Sequence, residues 1–375
     1  MEYTTFQDLK LSALGLGVMR MPVIDGDSAR IDEEHAAEMI AYALENGINY
    51  FDTAWAYHGG KSQEVLGQLL APYPRDSYYL ATKFPGYAPE FFEDPAGIFE
   101  AQLKQCQTDY FDFYLLHNMW EKNIDAYLEP DCAAMAYLLE QKAAGRIRHL
   151  GFSTHGSLET MERFLQVHGK HMEFCQIQLN YLDWEFQKAR EKVELLHRWN
   201  LPIWVMEPLR GGKLATLPES AAARLAALRP EEGIPAWGFH FLRNIPGVSM
   251  ILSGMSNMEQ LQDNIRTFSA PASLSLAERE TLLDIAADLL KSRLPCTACR
   301  YCTEECPQQL DIPALIGLYN DHILSNGLTA SRPLRSTLPE VGPDACIGCG
   351  KCTGVCPQNI RIPDIMADFA ARLAK

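Results

Sequence analysis

Two periods of apolar and polar residues alternate along this chain. Short, nearly continuous apolar runs occur at Leu14–Met21, Gly47–Thr53, Tyr78–Phe84, Phe111–His117, Ile147–Ser153, Phe174–Asn180, Pro202–Pro208 and Val248–Ser253. Each reads as a buried strand. Between them the spacing turns helical. Asp32–Asn46 places Ala36, Met39, Ile40, Ala43 and Leu44 on one face and stops before Gly47, a usual helix terminator. Asp131–Ala144 ends at Gly145, Leu158–Val167 ends near Gly169, and Phe186–Asn200 precedes Pro202. Strands alternating with helices predict parallel βαβ units, and eight of them predict a closed α/β barrel of the TIM type. An open doubly wound sheet is the rival. Against it, no strand–turn–helix carries Gly-x-Gly-x-x-Gly, since Gly15-Leu-Gly17 has no third glycine in place.

The pattern changes near residue 291. Ser275-Leu-Ala-Glu278 is a capping box that opens a helix carrying Leu282, Leu283, Ala286, Leu289 and Leu290. Cysteine dominates after it. We therefore expect a barrel over 1–290 and a small module over 291–375, which suits a chain of 375 residues with 47% hydrophobic composition.

The module is an internal repeat. Cys296-x-x-Cys299-x-x-Cys302-x-x-x-Cys306-Pro307 recurs as Cys346-x-x-Cys349-x-x-Cys352-x-x-x-Cys356-Pro357. The match continues from Cys306-Pro-Gln-Gln-Leu-Asp-Ile-Pro313 to Cys356-Pro-Gln-Asn-Ile-Arg-Ile-Pro363. A helix with proline in its first turn follows each copy. Cubane clusters need converging thiolates, and this spacing is that of a two-cluster ferredoxin, whose fourth cysteine in each run ligates the other cluster. On that analogy Cys296, Cys299, Cys302 and Cys356 hold one 4Fe-4S cluster. Cys346, Cys349, Cys352 and Cys306 hold the other. Structural zinc is the rival, but it leaves unexplained a third cysteine at the next two-residue spacing and the repeated Cys-Pro ending. The helices predict a mainly helical ferredoxin-like domain. The other three of the 11 cysteines are scattered; Cys106 and Cys175 read as small core residues, so no secreted disulfide framework is indicated.

A formal net charge of -15 argues against nucleic acid or an anionic membrane as partner. No apolar run approaches the ~18 residues of a membrane span, and the polar start predicts a cytoplasmic protein.

Chemistry gathers at the strand ends. The run Ile48–Phe51 ends on Asp52, with Tyr57 five residues on. The run at 78 ends on Lys83, and the run at 111 ends on His117. Singly, each has an ordinary explanation as a cap, an ion-pair partner or a core histidine. Together they form a proton-handling set. A phenol titrates near ~10, and a neighbouring lysine cation lowers that value. Asp52 would hold Lys83 charged. Tyr57 would protonate a carbonyl oxygen while hydride reaches the carbon, and His117 would donate a hydrogen bond to that oxygen.

On these residues, positions 14–264 resemble the aldo-keto reductase superfamily. Asp52-x-x-x-x-Tyr57, Lys83 and Tyr114-Leu-Leu-His117 match its catalytic tetrad. Tyr57-His-Gly-Gly-Lys-Ser-Gln-Glu64, Gly145-Arg-Ile-Arg-His-Leu-Gly-Phe-Ser153 and the Gln176 and Asn180 pair match further segments. The whole chain resembles the branch with a C-terminal ferredoxin-type domain. The resemblance implies an NAD(P)H-dependent oxidoreductase that interconverts a small-molecule carbonyl and an alcohol. It puts Ser153 and Gln176 on the nicotinamide carboxamide, Met206 where an aromatic ring usually stacks, and the segment 253–264 at the adenosine end, with Asn264 on adenine. Thr154 replaces the family's asparagine. Gly254 and Gln260 stand where NADPH-specific members carry a lysine and an arginine, which leaves NADH against NADPH open; Arg210 would compensate by reaching a phosphate, or be a solvated loop residue. Trp55, Met119, Trp120 and Trp184 suggest an aromatic, apolar mouth. The clusters would serve an external electron-transfer partner or the stability of the module. The alternative reading is a nucleotide-binding redox sensor or electron carrier with little carbonyl turnover.

Overall fold

The computed structural model describes residues 1–271, 273–291, 293–296, 299–324 and 338–374. Contacts gather the chain into two compact units, Met1–Pro208 with Pro235–Leu276, and Leu209–Ile234 with Ala277–Lys375.

The first unit is a closed barrel. Its strands are β3 (Leu14–Gly17), β4 (Tyr50–Asp52), β5 (Tyr79–Phe84), β6 (Phe111–Met119), β7 (Ile147–Thr154), β8 (Cys175–Gln178), β9 (Ile203–Met206) and β10 (Val248–Ser253). Every neighbouring pair is parallel, and β10 closes on β3 with Ser253 opposite Leu16. All eight expected runs are strands, most of them shorter than the apolar pattern. The first run extends to Met21, but its strand stops at Gly17, and Val18–Arg20 form a 3-10 turn. Apolar residues there serve a buried turn, which the strand pattern cannot distinguish from a strand. Gly15 is set by packing: a Cβ at Gly15 would stand 2.7 Å from Leu252 Cδ2 and 2.9 Å from Met250 Sδ.

One element was not foreseen. β1 (Tyr3–Phe6) and β2 (Leu9–Ser12) form an antiparallel hairpin with Phe6 opposite Leu9. Its Phe6 and Leu11 join Tyr50, Phe113, Phe174 and Trp204 in one buried cluster. The hairpin meets the N-terminal ends of the strands: Ser12 N–H donates to Asn49 Oδ1 at 2.8 Å, just ahead of β4. With Phe6, Leu9 and Leu11 its only apolar side chains on the cluster, it leaves little trace in the apolar pattern.

The second unit contains the helices Ile312–Leu324 and Ile362–Leu373, each with proline at its second position. Leu310, Ile312, Leu315, Ile316 and Tyr319 pack with Ile360, Ile362, Met366 and Phe369 in one core that includes Cys302 and Cys352. The repeat thus folds as two similar halves around a shared apolar seam. The helix Leu276–Leu290 belongs here too, and its Glu278 pairs with Arg229 at 2.6 Å. No helix among the described residues is long and apolar enough to cross a membrane.

Glu173, just before β8, gathers several elements at the closed end of the barrel. It accepts from Gln7 Nε2 at 2.8 Å and Leu150 N–H at 3.0 Å, and pairs with Lys142 Nζ at 2.7 Å and His149 Nδ1 at 2.9 Å. Burial opposes its charge, yet these bonds hold its carboxyl at about 2 against an ordinary value of 4.5. A depressed folded pKa gives stability that is full above the unfolded value and lost as pH falls through the folded one. Glu173→Gln is expected to cost about 1–3 kcal/mol at pH ~7, narrowing by about 1 kcal/mol near pH ~4. Urea unfolding of both proteins at the two pH values measures this; a gap independent of pH would contradict the assignment.

Candidate active site and cysteine-lined cavities

Strand polarity brings the expected polar side chains to one end of the barrel. Asp52 closes β4, Lys83 lies one residue from the end of β5, and His117 lies near the end of β6. C-terminal strand ends are where barrels of this kind hold their chemistry. Lys83 is fully buried, and each donor of its ammonium group has an acceptor: Asp52 Oδ1 at 2.6 Å, the Thr53 carbonyl at 2.7 Å and Tyr57 Oη at 3.5 Å. The Tyr57 ring meets the His117 ring edge-on, with centroids 6.0 Å apart. Asp52, Tyr57, Lys83 and His117 therefore form one constellation.

The peptide at Lys83 is fixed from behind. Gln102 Nε2 donates to the Lys83 carbonyl at 2.9 Å and to Gln63 Oε1 at 2.9 Å, and Thr82 Oγ1 donates to the same Gln63 oxygen at 2.6 Å. Tyr57 leads directly into a tight bend in which His58, Gly59 and Gly60 all take positive φ. The bend is pinned by the His58 ring, whose nitrogens lie 2.7 Å from the Ser28 carbonyl and 3.1 Å from the Val18 carbonyl.

His117 owes its direction to a bulge. The β6–β7 register runs from Leu116 opposite Phe152 to Met119 opposite Thr154, one extra residue on β6, and Asn118 has φ +53. Bulges re-aim side chains beside active sites. The Asn118 N–H donates to Ser153 Oγ at 2.8 Å.

Burial and charge compete here. Burial raises the Asp52 carboxyl, and Lys83 pulls it back. Burial opposes the Lys83 cation, but Asp52 and then Tyr57 outweigh it and hold the ammonium above its ordinary value. For Tyr57 burial is the larger effect: the phenol is pushed above its ordinary value, with Lys83 recovering part of the shift. The expected net lowering of the phenol does not occur, because desolvation of a phenolate outweighs one cation.

The mouth differs from expectation. Met119 is fully buried, and Trp184 is buried against Phe241 at 5.6 Å between centroids, so both belong to the core. Tyr87 and Phe91, on the segment after β5, take their place. Tyr87 lies 5.7 Å from the His117 ring, and Phe91 lies 6.5 Å from Trp55. The loop sequence carries aromatic residues there, but no periodicity marks them.

The remaining expected contacts follow the rim. Ser153 and Gln176 face each other in the β7–β8 register, and Gln176 Oε1 is buried without a hydrogen-bond partner. An orphaned buried acceptor suits an outside donor such as a carboxamide N–H. Met206 ends β9 half-buried. Asn264 is buried and donates to Ser253 Oγ at 3.1 Å, while Gly254 and Gln260 are exposed. Thr154 Oγ1 donates to the Met119 carbonyl at 2.7 Å, and Asn180 donates to the Glu207 carbonyl at 3.0 Å. Arg210, in the second unit, is buried and pairs with Asp321 at 2.7 Å.

The cysteines of the second unit line two small cavities. Cys296, Cys299, Cys302 and Cys356 line the first, beside Pro313 and Pro357. Cys306, Cys346, Cys349 and Cys352 line the second, beside Pro307 and Pro363. The backbone repeats as well: Arg300 and Gly350 have φ +67 and +75, and Gln309 and Asn359 have φ +55 and +53. Four thiol groups around each apolar cavity fit the donor set of a 4Fe-4S cluster.

Comparison with known proteins agrees with this geometry. Residues 13–279 match the model of the aldo/keto reductase family, and residues 295–360 match that of the 4Fe-4S dicluster domain. An uncharacterized oxidoreductase of Bacillus subtilis, YqkF, is 24% identical over 70% of this chain and 89% of its own length. The NADH-specific methylglyoxal reductase of Escherichia coli is 26% identical over 55% of this chain and 66% of its own length. Among solved structures, an aldo-keto reductase from Bacillus halodurans in its holo form is 25% identical with a TM-score of 0.61, covering 76% of this chain and 95% of that one. An aldo/keto reductase from Klebsiella pneumoniae in complex with NADP and acetate has the same fold, with a TM-score of 0.61 at 22% identity over 76% of this chain and 96% of that one. The chain belongs to the aldo/keto reductase family, an oxidoreductase barrel that carries a C-terminal 4Fe-4S dicluster domain.

Proposed function

We propose that the barrel interconverts a small-molecule carbonyl and an alcohol with NAD(P)H, using Tyr57 as the proton donor. The observation that carries this reading is Lys83, wholly buried and shared between Asp52 and the Tyr57 hydroxyl. A bound reduced nicotinamide would supply the hydride. Ser153 and Gln176 would hold its carboxamide, Met206 would cover its ring, and Asn264 would meet the adenine. Tyr57 gives its proton to the carbonyl oxygen, and His117 donates a hydrogen bond to the same oxygen. Lys83, kept charged by Asp52, stabilises the phenolate left behind. Tyr87, Phe91 and Trp55 form an aromatic mouth suited to an apolar substrate. The raised phenol pKa suits reduction, since it keeps the donor protonated at neutral pH.

Tyr57→Phe is expected to lower kcat/KM for carbonyl reduction by about 10²–10⁴-fold and to leave nucleotide affinity unchanged. In the wild type, reduction needs the protonated phenol, so its rate is lost only as pH rises through the phenol's pKa. The profile is expected to stay flat from pH ~7 to ~9 and to fall above ~10. Nucleotide oxidation followed against pH measures both; full activity in Tyr57→Phe would exclude the mechanism.

In the second unit we assign one 4Fe-4S cluster to Cys296, Cys299, Cys302 and Cys356, and another to Cys346, Cys349, Cys352 and Cys306. The two cavities support this crossed set. Bound clusters supply single-electron transfer, whereas hydride carries two electrons. We therefore assign the clusters to an external electron partner. The crossed ligation makes a distinctive prediction. Cys356→Ala with Cys299→Ala is expected to cost no more iron than either change alone, about half of the total. Cys356→Ala with Cys349→Ala is expected to remove both clusters. Iron and sulfide analysis of anaerobically purified protein decides; the opposite pattern would mean that each run closes on itself.

A further inference from the structure

We propose that Arg20 is the phosphate-binding cation of the nucleotide site, reaching in from the turn after β3 to the rim beside β10. The inference rests on the nucleotide reading above. The two strands are neighbours: Ser253 pairs with Leu16, and a Cβ on Gly17 would lie 3.5 Å from the Ser253 carbonyl oxygen. The chain leaves β3 through the turn Val18–Arg20 and leaves β10 at Gly254. The arginine stem lies on that glycine. A Cβ at Gly254 would stand 2.9 Å from Arg20 Cδ and 3.1 Å from its Cβ and Cγ. The absent side chain at 254 is thus the space that Arg20 fills.

The turn is anchored and its charge is spare. His58 holds the Val18 carbonyl at 3.1 Å, and Val18 and Met21 are buried on either side. The half-buried Arg20 guanidinium has neither an ion pair nor a hydrogen bond among the described residues. This is unusual in a chain with 48 acidic residues against 33 Lys and Arg. Other arginines of the barrel do have carboxylates, such as Arg75 and Arg148 on Asp112, and Arg146 on Glu100. Arg210 is likewise committed, to Asp321. A fixed backbone, a stem supported along its length and an unmet guanidinium form a fork for phosphate oxygens. Asn264 and Ser253, joined at 3.1 Å, line the same strand end and mark where the adenosine half of the dinucleotide would rest.

The test is binding. Wild type, Arg20→Ala and Arg20→Lys are titrated with NADPH, NADH, 2′,5′-ADP and ADP by calorimetry, with cluster absorbance and circular dichroism confirming that each is folded. Arg20→Ala is expected to weaken a phosphate-bearing ligand by about 10–100-fold, and Arg20→Lys to restore part of the loss. A loss confined to NADPH and 2′,5′-ADP assigns the contact to the 2′-phosphate. An equal loss for NADH and ADP assigns it to the pyrophosphate. Wild-type affinity for all four in Arg20→Ala would overturn the inference and leave the nucleotide reading standing. Wild type that binds none of the four would overturn both.

Discussion

The buried pair of Lys83 and Asp52 constrains the rest of the barrel unit. An ammonium group in the middle of a protein is tolerated only if its charge is matched and each of its protons is accepted. Here the matching carboxylate comes from the adjacent strand, and the backbone carbonyl of the next residue accepts a second hydrogen bond. Only the Tyr57 contact, at 3.5 Å, is long. The most adjustable of the three bonds is thus the one to the group assigned to lose and regain a proton. Removing either charge would leave the other buried and unpaired, at a cost of about 3–5 kcal/mol. On the proposed mechanism, chemistry and stability bear on the same two residues, and the polar network of Gln63, Thr82 and Gln102 behind them would serve both.

What the sequence revealed follows from how each feature is encoded. Barrel strands buried on both faces appear as solid apolar runs, so their number and order were legible, and so were Asp52, Lys83 and His117 as polar residues ending such runs. Features made by geometry were not legible. The bulge that turns His117 arises from one surplus residue in β6, which no residue type announces. The β1–β2 hairpin mixes apolar residues with polar and charged ones over two four-residue strands, and so resembles a polar leader. Met119 and Trp184 were misread because a large apolar residue near a strand end suits core and mouth equally. The direction of the Tyr57 shift was misjudged for a related reason: a sequence shows which cation stands near a phenol but not how much water is removed from it.

The cysteine module shows the opposite balance. Cluster ligation demands fixed spacing, so its chemistry is visible in the bare string of residues. The fold adds the reason for the repeat. A segment of this length has too little apolar surface to make a core alone. Two copies facing each other make one, with Leu315, Ile316 and Tyr319 opposed to Met366 and Phe369. The cavities are crossed in the same way, since the fourth cysteine of each run lines the cavity of the other. Packing and ligation thus reinforce each other, as they do when metal binding and folding are coupled.

The rim near Gly254 applies the same logic to a single charge. A phosphate needs a cation held in place, and two routes lead there. In one, the residue following β10 itself carries the charge on a long flexible chain, at the cost of ordering it. Alternatively that residue is reduced to a glycine, and a neighbouring strand lends an arginine whose stem is already supported. The second arrangement would lose less side-chain freedom on binding, because the Arg20 stem already lies against the glycine. On the proposed reading, the phosphate cation and the proton donor share one anchor. The turn that carries Arg20 is held by His58, and His58 follows directly on Tyr57.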